Sequence, residues 1–155
     1  MTPEQNHVSV RTLEDAMSVY FAAYTKGDVD EILDWFLLPC HFVSDADEVA
    51  LMPLATREAC RTGVERVVNW HRDLGVEGRR IVKQSIIELS PRISCVDVVV
   101  DVLVAGGLKL YDFEAVYTFV RREETWRIAA IIHNQLPRLL RCVRAHEATS
   151  ANGRQ

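Results

Sequence analysis

The chain has 155 residues, 48% of them apolar and 26% charged, with a formal net charge of −4. That length suits one domain with a proper core, and the balance is that of an ordinary globular protein. An acidic chain without a basic stripe interleaved by aromatics excludes a general nucleic-acid binder.

Met1 to Thr12 lack the basic start and apolar core of a secretion signal. No apolar run approaches the ~20 residues that a membrane helix needs. The chain is therefore expected in the cytoplasm, with no membrane partner. Cys40, Cys60, Cys95 and Cys142 stand far apart, with no C-x-x-C pair. Free thiols are expected, with neither a metal centre nor another cofactor.

Three helix starts follow from capping chemistry: Thr12 with Asp15, Asp28 with Glu31, and Thr62 with Glu65. The first helix runs from about Leu13 to Lys26, with Leu13, Met17, Tyr20 and Tyr24 on one face, and ends at Gly27. A second, Val29 to Leu37, halts before Pro39. Two short extended pieces, Cys40 to Ser44 and Glu48 to Met52, precede a third helix near Val64, whose stripe is Val64, Val67, His71 and Leu74. Beyond Arg79 come four strands: Ile81 to Leu89, Ile93 to Val104, Lys109 to Arg121 and Trp126 to Asn134. Helices first and a meander of long strands last define an α+β class. Residues 1–11 are expected to be a flexible N-terminus, 12–135 the α+β domain, and 136–155 an extension. In that extension a short basic helix over Leu136 to Arg144 covers the domain's mouth or grips a partner. A disordered tail after Ala145 follows it.

Hairpins at Gly106-Gly107 and Glu123-Glu124 sort the strand faces. If each is a two-residue turn, Val96, Val98, Val100, Val102, Tyr111, Phe113, Ala115, Tyr117 and Phe119 share one face. Ile128, Ala130, Ile132 and Asn134 join them. That face packs on the helices, since a one-residue slip would exchange every side chain. The opposite face carries Val99, Leu103, Val116, Thr118, Arg127, Ala129, Ile131 and His133, rimmed by Asp97, Asp101, Asp112 and Glu114. An apolar centre on an outer sheet face predicts a homodimer formed face to face, with His133 opposite Glu114 in an interface ion pair.

The helix pair around Lys26-Gly27-Asp28, the Trp126-Arg127-Ile128 strand opening and the helices-then-strands order resemble the nuclear transport factor 2-like superfamily. Its branches include ketosteroid isomerases, scytalone dehydratases, SnoaL-like polyketide cyclases and limonene epoxide hydrolases. The resemblance covers about Thr12 to Asn134. It implies a cone: three helices in the concave face of a curved, mostly antiparallel sheet, with a pocket at the mouth. By the same resemblance, the isomerase oxyanion tyrosine falls on Tyr20. The isomerase base falls on Ser44, with Asp45 next to it, and the second acid falls on Ala115.

The catalytic candidates are therefore Tyr20, as hydrogen-bond donor to a ligand oxygen, and Asp45, as base if a bulge turns it inward. Each has a plainer alternative: a core tyrosine bonded to the backbone, and a solvated loop acid. The expected pocket walls are Tyr20, Tyr24, Tyr111, Phe113, Tyr117, Phe119, Ile128 and Asn134, with Ser44 and Asp45 at the mouth. His71 is read as a hydrogen-bonded packing residue that is a proton shuttle if it titrates near neutrality. Two functions remain open. One is binding of a small apolar ligand, with isomerase-, dehydratase- or cyclase-type proton transfer. The other is a dimeric module that binds a ligand or protein without reacting it.

Overall fold

The computed structural model describes residues 12–153; the expected flexible segment 1–11 lies outside the described residues. The first helix, α1 (Leu13–Lys26), begins and ends at its capping residues. The Thr12 hydroxyl accepts from the Asp15 N–H at 3.2 Å, and Gly27 closes the helix at φ 69°, where a Cβ is disfavoured. Asp28 caps α2 (Val29–Asp34) by accepting from the Glu31 N–H at 3.1 Å. Caps of this kind contribute about 1 kcal/mol each.

α2 stops short of the expected Leu37 because the next residues are captured by a sheet. β1 (Phe36–Asp45) begins with Phe36 opposite Ile128, and the Trp35 carbonyl accepts from the Ile128 N–H at 2.8 Å. Tertiary pairing overrides local helix preference here. β2 (Val49–Leu54) follows, and then α3 (Arg57–Asp73). This helix starts well before the expected Val64, on Thr56, whose hydroxyl accepts from the Ala59 N–H at 3.1 Å. Thr62, the expected cap, instead donates to the Glu58 carbonyl within the helix at 3.3 Å. The early turns fasten α3 to α2: Arg57 pairs with Asp34 at 2.8 Å and Arg61 with Asp30 at 2.6 Å. Such exposed pairs contribute at most about 1 kcal/mol each.

The remaining strands are β3 (Gly78–Ser90), β4 (Ile93–Val104), β5 (Leu108–Arg122) and β6 (Thr125–His133). They form one sheet in the order β2-β1-β6-β5-β4-β3, antiparallel except where β1 runs parallel to β6. The β4–β5 register is as expected from Val102↔Tyr111 to Val96↔Tyr117; only beside the turn does a shift put Leu103, not Val104, opposite Lys109. The face of Val96, Val98, Val100, Val102, Phe113 and Phe119 is buried against Met17, Tyr20 and Phe21 of α1 and Ile32 of α2. Each such side chain contributes roughly 1.5–3 kcal/mol by leaving water.

β6 departs from the expected alternation. The ladder steps from Phe119↔Ile128 to Thr118↔Ala130, leaving Ala129 as an extra residue. A bulge of this kind reverses which side chains face inward. Ile131 and His133, expected on the outer face, are turned inward opposite Tyr117 and Ala115. Ala130 and Ile132, expected inside, are turned outward, and Ile132 is 52% exposed.

The C-terminal extension is one helix, α4 (Gln135–Asn152), so the tail expected to fray after Ala145 is helical to Asn152. Leu139 is fully buried, while Cys142 and Val143 pack against the core. Arg138 donates to the Asp112 carbonyl at 3.1 Å and also pairs with its carboxylate. Asp101 and Asp112, opposed across the hairpin, are thus compensated within the chain, by Arg80 at 2.7 Å and by Lys109 and Arg138. Among the described residues, no helix is long and apolar enough to cross a membrane.

Candidate functional site

The bulge in β6 opens the space that its regular neighbours fill. A cavity of about 320 Å³ lies between β1, β6, α3 and α4. Its strand wall is Phe42, Ser44, Ile131 and His133, with Ser44 and His133 opposite each other on the parallel pair. Its helix wall is α3, which presents small residues there, Ala59 and Gly63, between Cys60, Val64 and Val67. Small residues facing a bulged strand leave volume that close packing would otherwise remove. Leu136 and Leu139 of α4 close one side, and Tyr20, Tyr24 and Tyr117 form the floor.

The floor is an aromatic cluster in edge-to-face contact. Tyr20 meets Tyr24 at 5.3 Å and Tyr117 at 5.7 Å between centroids. Burial raises the hydroxyls of all three above the ordinary phenol range; at Tyr20 the neighbouring Tyr24 and Tyr117 add to it. The three phenols therefore stay protonated at neutral pH and act as donors. Arg79, inward on β3 opposite Val102, also lines the cavity. Its guanidinium lies 4.4 Å from the Tyr24 ring centroid and 5.1 Å from that of Phe21.

The two inward histidines are held neutral. His133 Nδ1 accepts from the Gln135 N–H at 3.2 Å, which leaves the ring proton on Nε2. Burial holds its pKa down at about 4. His71 is buried, and its pKa is held at about 3, first by burial and then by the Arg79 charge. Tyr111 accepts from Gln135 Nε2 at 3.0 Å and so donates to His71 Nε2 at 2.7 Å. A shuttle titrating near neutrality does not fit this arrangement. Among the described residues lining the cavity there is no Asp or Glu. The Ser44 hydroxyl oxygen and Arg79 Nη2 are buried without a hydrogen-bond partner. The cavity is thus rich in donors and poor in bases.

The expected site residues fall into three groups. Tyr20, Tyr24, Ser44 and Tyr117 come together around the cavity. Tyr111, Phe113, Phe119 and Ile128 are buried in the core beside it. Asp45 and Asn134 do not reach it. Asp45 is exposed at the end of β1, in regular register with Ser44 against β2 and with no bulge to turn it inward, and the Asn134 side chain accepts from the Glu114 N–H at 2.8 Å. Of the expected dimer face, Val99, Leu103, Val116, Thr118, Arg127 and Ala129 are half-buried, whereas Ile131 and His133 line the cavity. His133, Gln135 and Arg79 were missed as site residues. Ala129-Ala130-Ile131-Ile132 has no alternation to reveal the bulge, and Arg79 sits just before the expected strand start.

All four cysteines are free, and burial pushes the Cys40 thiol up to about 12. A second hollow of about 240 Å³ between Leu38, Arg57 and Arg127 contains the Arg57–Asp34 ion pair.

Among solved structures, the chain is similar to an NTF-2 like protein of unknown function from Shewanella oneidensis. The TM-score is 0.63 at 11% identity, over 78% of this chain and 94% of that one. An NTF2-like protein with a cystatin-like fold from Novosphingobium aromaticivorans gives 0.61 at 12% identity, over 82% and 79%. A cystatin-like-fold protein of unknown function from Nostoc punctiforme gives 0.61 at 10% identity, over 78% and 86%. At these identities the likeness shows the fold alone. No curated protein matches the chain. A family model described as NTF2-like protein (DUF6841) matches residues 11–135, from the start of α1 to the end of the sheet, and the chain belongs to that family.

Proposed function

We propose that this protein is a binding cone for a small, largely apolar molecule carrying at least one hydrogen-bond acceptor. The observation that carries this reading is the cavity of about 320 Å³, whose lining includes three protonated tyrosines and a neutral histidine. Apolar walls with a few convergent polar groups are the usual make-up of a ligand site. Proton abstraction from a substrate carbon needs a base within reach. The histidine nitrogens that lack a proton already accept hydrogen bonds, which favours retention of a ligand over isomerase-type chemistry. If chemistry does occur, Tyr20 and His133 Nε2–H suit stabilisation of negative charge developing on a ligand oxygen.

Titration of methyl-labelled protein with phenylacetamide, followed by nuclear magnetic resonance, tests this. The expected result is one saturable curve shared by the methyls of Val67, Ile131, Leu136 and Leu139. No shifts, or shifts confined to outward residues such as Ile132, would overturn it.

We further infer that the outer sheet face meets a second copy of this chain. Val43, Val99, Val116 and Ile132 form an apolar band there, and Arg127 and the acids Asp97 and Glu114 give that face both signs of charge. A two-fold axis could set these against each other. Sedimentation at micromolar concentration should show dimers; monomer alone would rule out the contact.

A further inference from the structure

Two cations line the cavity, and they are placed differently. Arg66 is exposed on α3, its guanidinium 5.9 Å from the Trp70 ring. Arg79 is half-buried in the cone, packed over Tyr24, Phe21 and Phe113, with centroid distances of 4.4, 5.1 and 5.6 Å. Its Nη2 has no hydrogen-bond partner, and no carboxylate among the described residues pairs with it.

A cation removed from water normally brings a counter-charge with it, because desolvation costs several kcal/mol otherwise. Stacking on aromatic faces offsets about 0.5–2 kcal/mol of that. It leaves the rest of the cost, and the three rings hold the guanidinium in place. A guanidinium offers its N–H groups along its edge, the geometry that takes a planar two-oxygen acceptor. The Tyr20 and Tyr24 hydroxyls are further donors on the same floor. No acid among the described lining residues competes for any of them.

We propose that the natural ligand is a small monocarboxylate, its carboxylate taken edge-on by Arg79 and its apolar body lying against Ile131, Leu136 and Leu139. This rests on the ligand-binding reading above and adds the ligand's chemical class. A tetrahedral dianion would match one planar fork less well, and the volume, near the lower end for ligand cavities, suits a compact body.

The test compares phenylacetate with phenylacetamide, close in shape and different in charge, by calorimetric titration at neutral pH. Wild-type protein should bind the carboxylate on the order of ten-fold or more tighter, the worth of a charged hydrogen bond. Arg79→Met, which keeps an apolar stem against the rings, should bring the ratio to about one while the amide still binds. Equal or tighter amide binding by the wild type overturns the proposal, as does a carboxylate preference that survives Arg79→Met. Failure of both ligands on the wild type defeats the ligand-binding reading itself, and the two failures are thereby told apart. If circular dichroism shows that Arg79→Met does not fold, the Arg79 Nε–H resonance of the wild type decides. A shift saturating with phenylacetate but not with phenylacetamide supports the proposal, and no shift with phenylacetate overturns it.

Discussion

The two halves of the cone are built by the same alternation of side chains and end in opposite states. In the half made by β3, β4 and β5, unbroken alternation sends Val96, Val98, Val100 and Val102 inward beside Phe113 and Phe119. These side chains pack against α1 in the core. In the half made by β1 and β6, one extra residue at Ala129 exchanges the faces. The helix opposite offers Ala59 and Gly63 instead of large side chains. The first half pairs His71 with Tyr111 but leaves Arg79 Nη2 and Gln84 Oε1 of β3 without a partner. The second leaves the Ser44 hydroxyl unmatched, and Arg79 reaches the same cavity from β3. The lesson is that a cavity in this fold needs only a shift in register and two small residues, while stability is carried by the other half.

Substitutions should separate the halves. The largest effect is expected in the closed half, where Phe119→Ala should cost about 3–5 kcal/mol, read from urea denaturation. A cost below about 1 kcal/mol would mean that this half is not the packed one. Acid comes next. Unfolded histidine titrates near 6.5, and folded His71 and His133 are held at about 3 and about 4. Between these values the unfolded chain binds more protons, so stability is complete above about pH 6.5 and falls as pH is lowered. Each histidine contributes about 1.4 kcal/mol per pH unit in that window. Between pH 6.5 and 5, where ordinary carboxylates stay ionised, His71→Gln should make the fall about half as steep. An unchanged slope would show that His71 is not a buried neutral ring.

Tyr111→Phe removes the hydroxyl shared by His71 and Gln135. Leaving a buried acceptor unmatched should cost about 1–3 kcal/mol, again by denaturation, and a neutral result would place water within reach of His71. The smallest effect belongs to the open half. A Cβ at Gly63 would meet nothing within 4 Å, so Gly63→Ala should stabilise α3 by up to about 1 kcal/mol. A loss of stability there would mean that the cavity wall is tighter than described.

How much of this was legible follows the same division. The closed half could be read from alternation: Tyr111, Phe113, Tyr117 and Phe119 on one face of β5 have the register the hairpin implied. α1 could be read because Thr12 and Gly27 mark it chemically. The start of α3 could not, since Thr56 lacks an acid three residues on while Thr62 has one. The open half was hidden for a related reason. Ile131 and Ile132 are equally apolar, so nothing local says which faces in, and the parity of His133 depends on that choice. Ser44 was found at the cavity through the resemblance, and Arg79 was missed because an inward arginine runs against the pattern used to locate the strand.

The central claim is that the open half holds a ligand and the closed half does not. Anomalous diffraction from a crystal soaked with 4-bromophenol tests it most directly. The account predicts an ordered bromine inside the cone, among Ile131, Leu136 and Leu139, with the phenol oxygen toward Tyr20 or Arg79. Bromine found only on the outer surface, with the cone interior unchanged at full soaking, would contradict it.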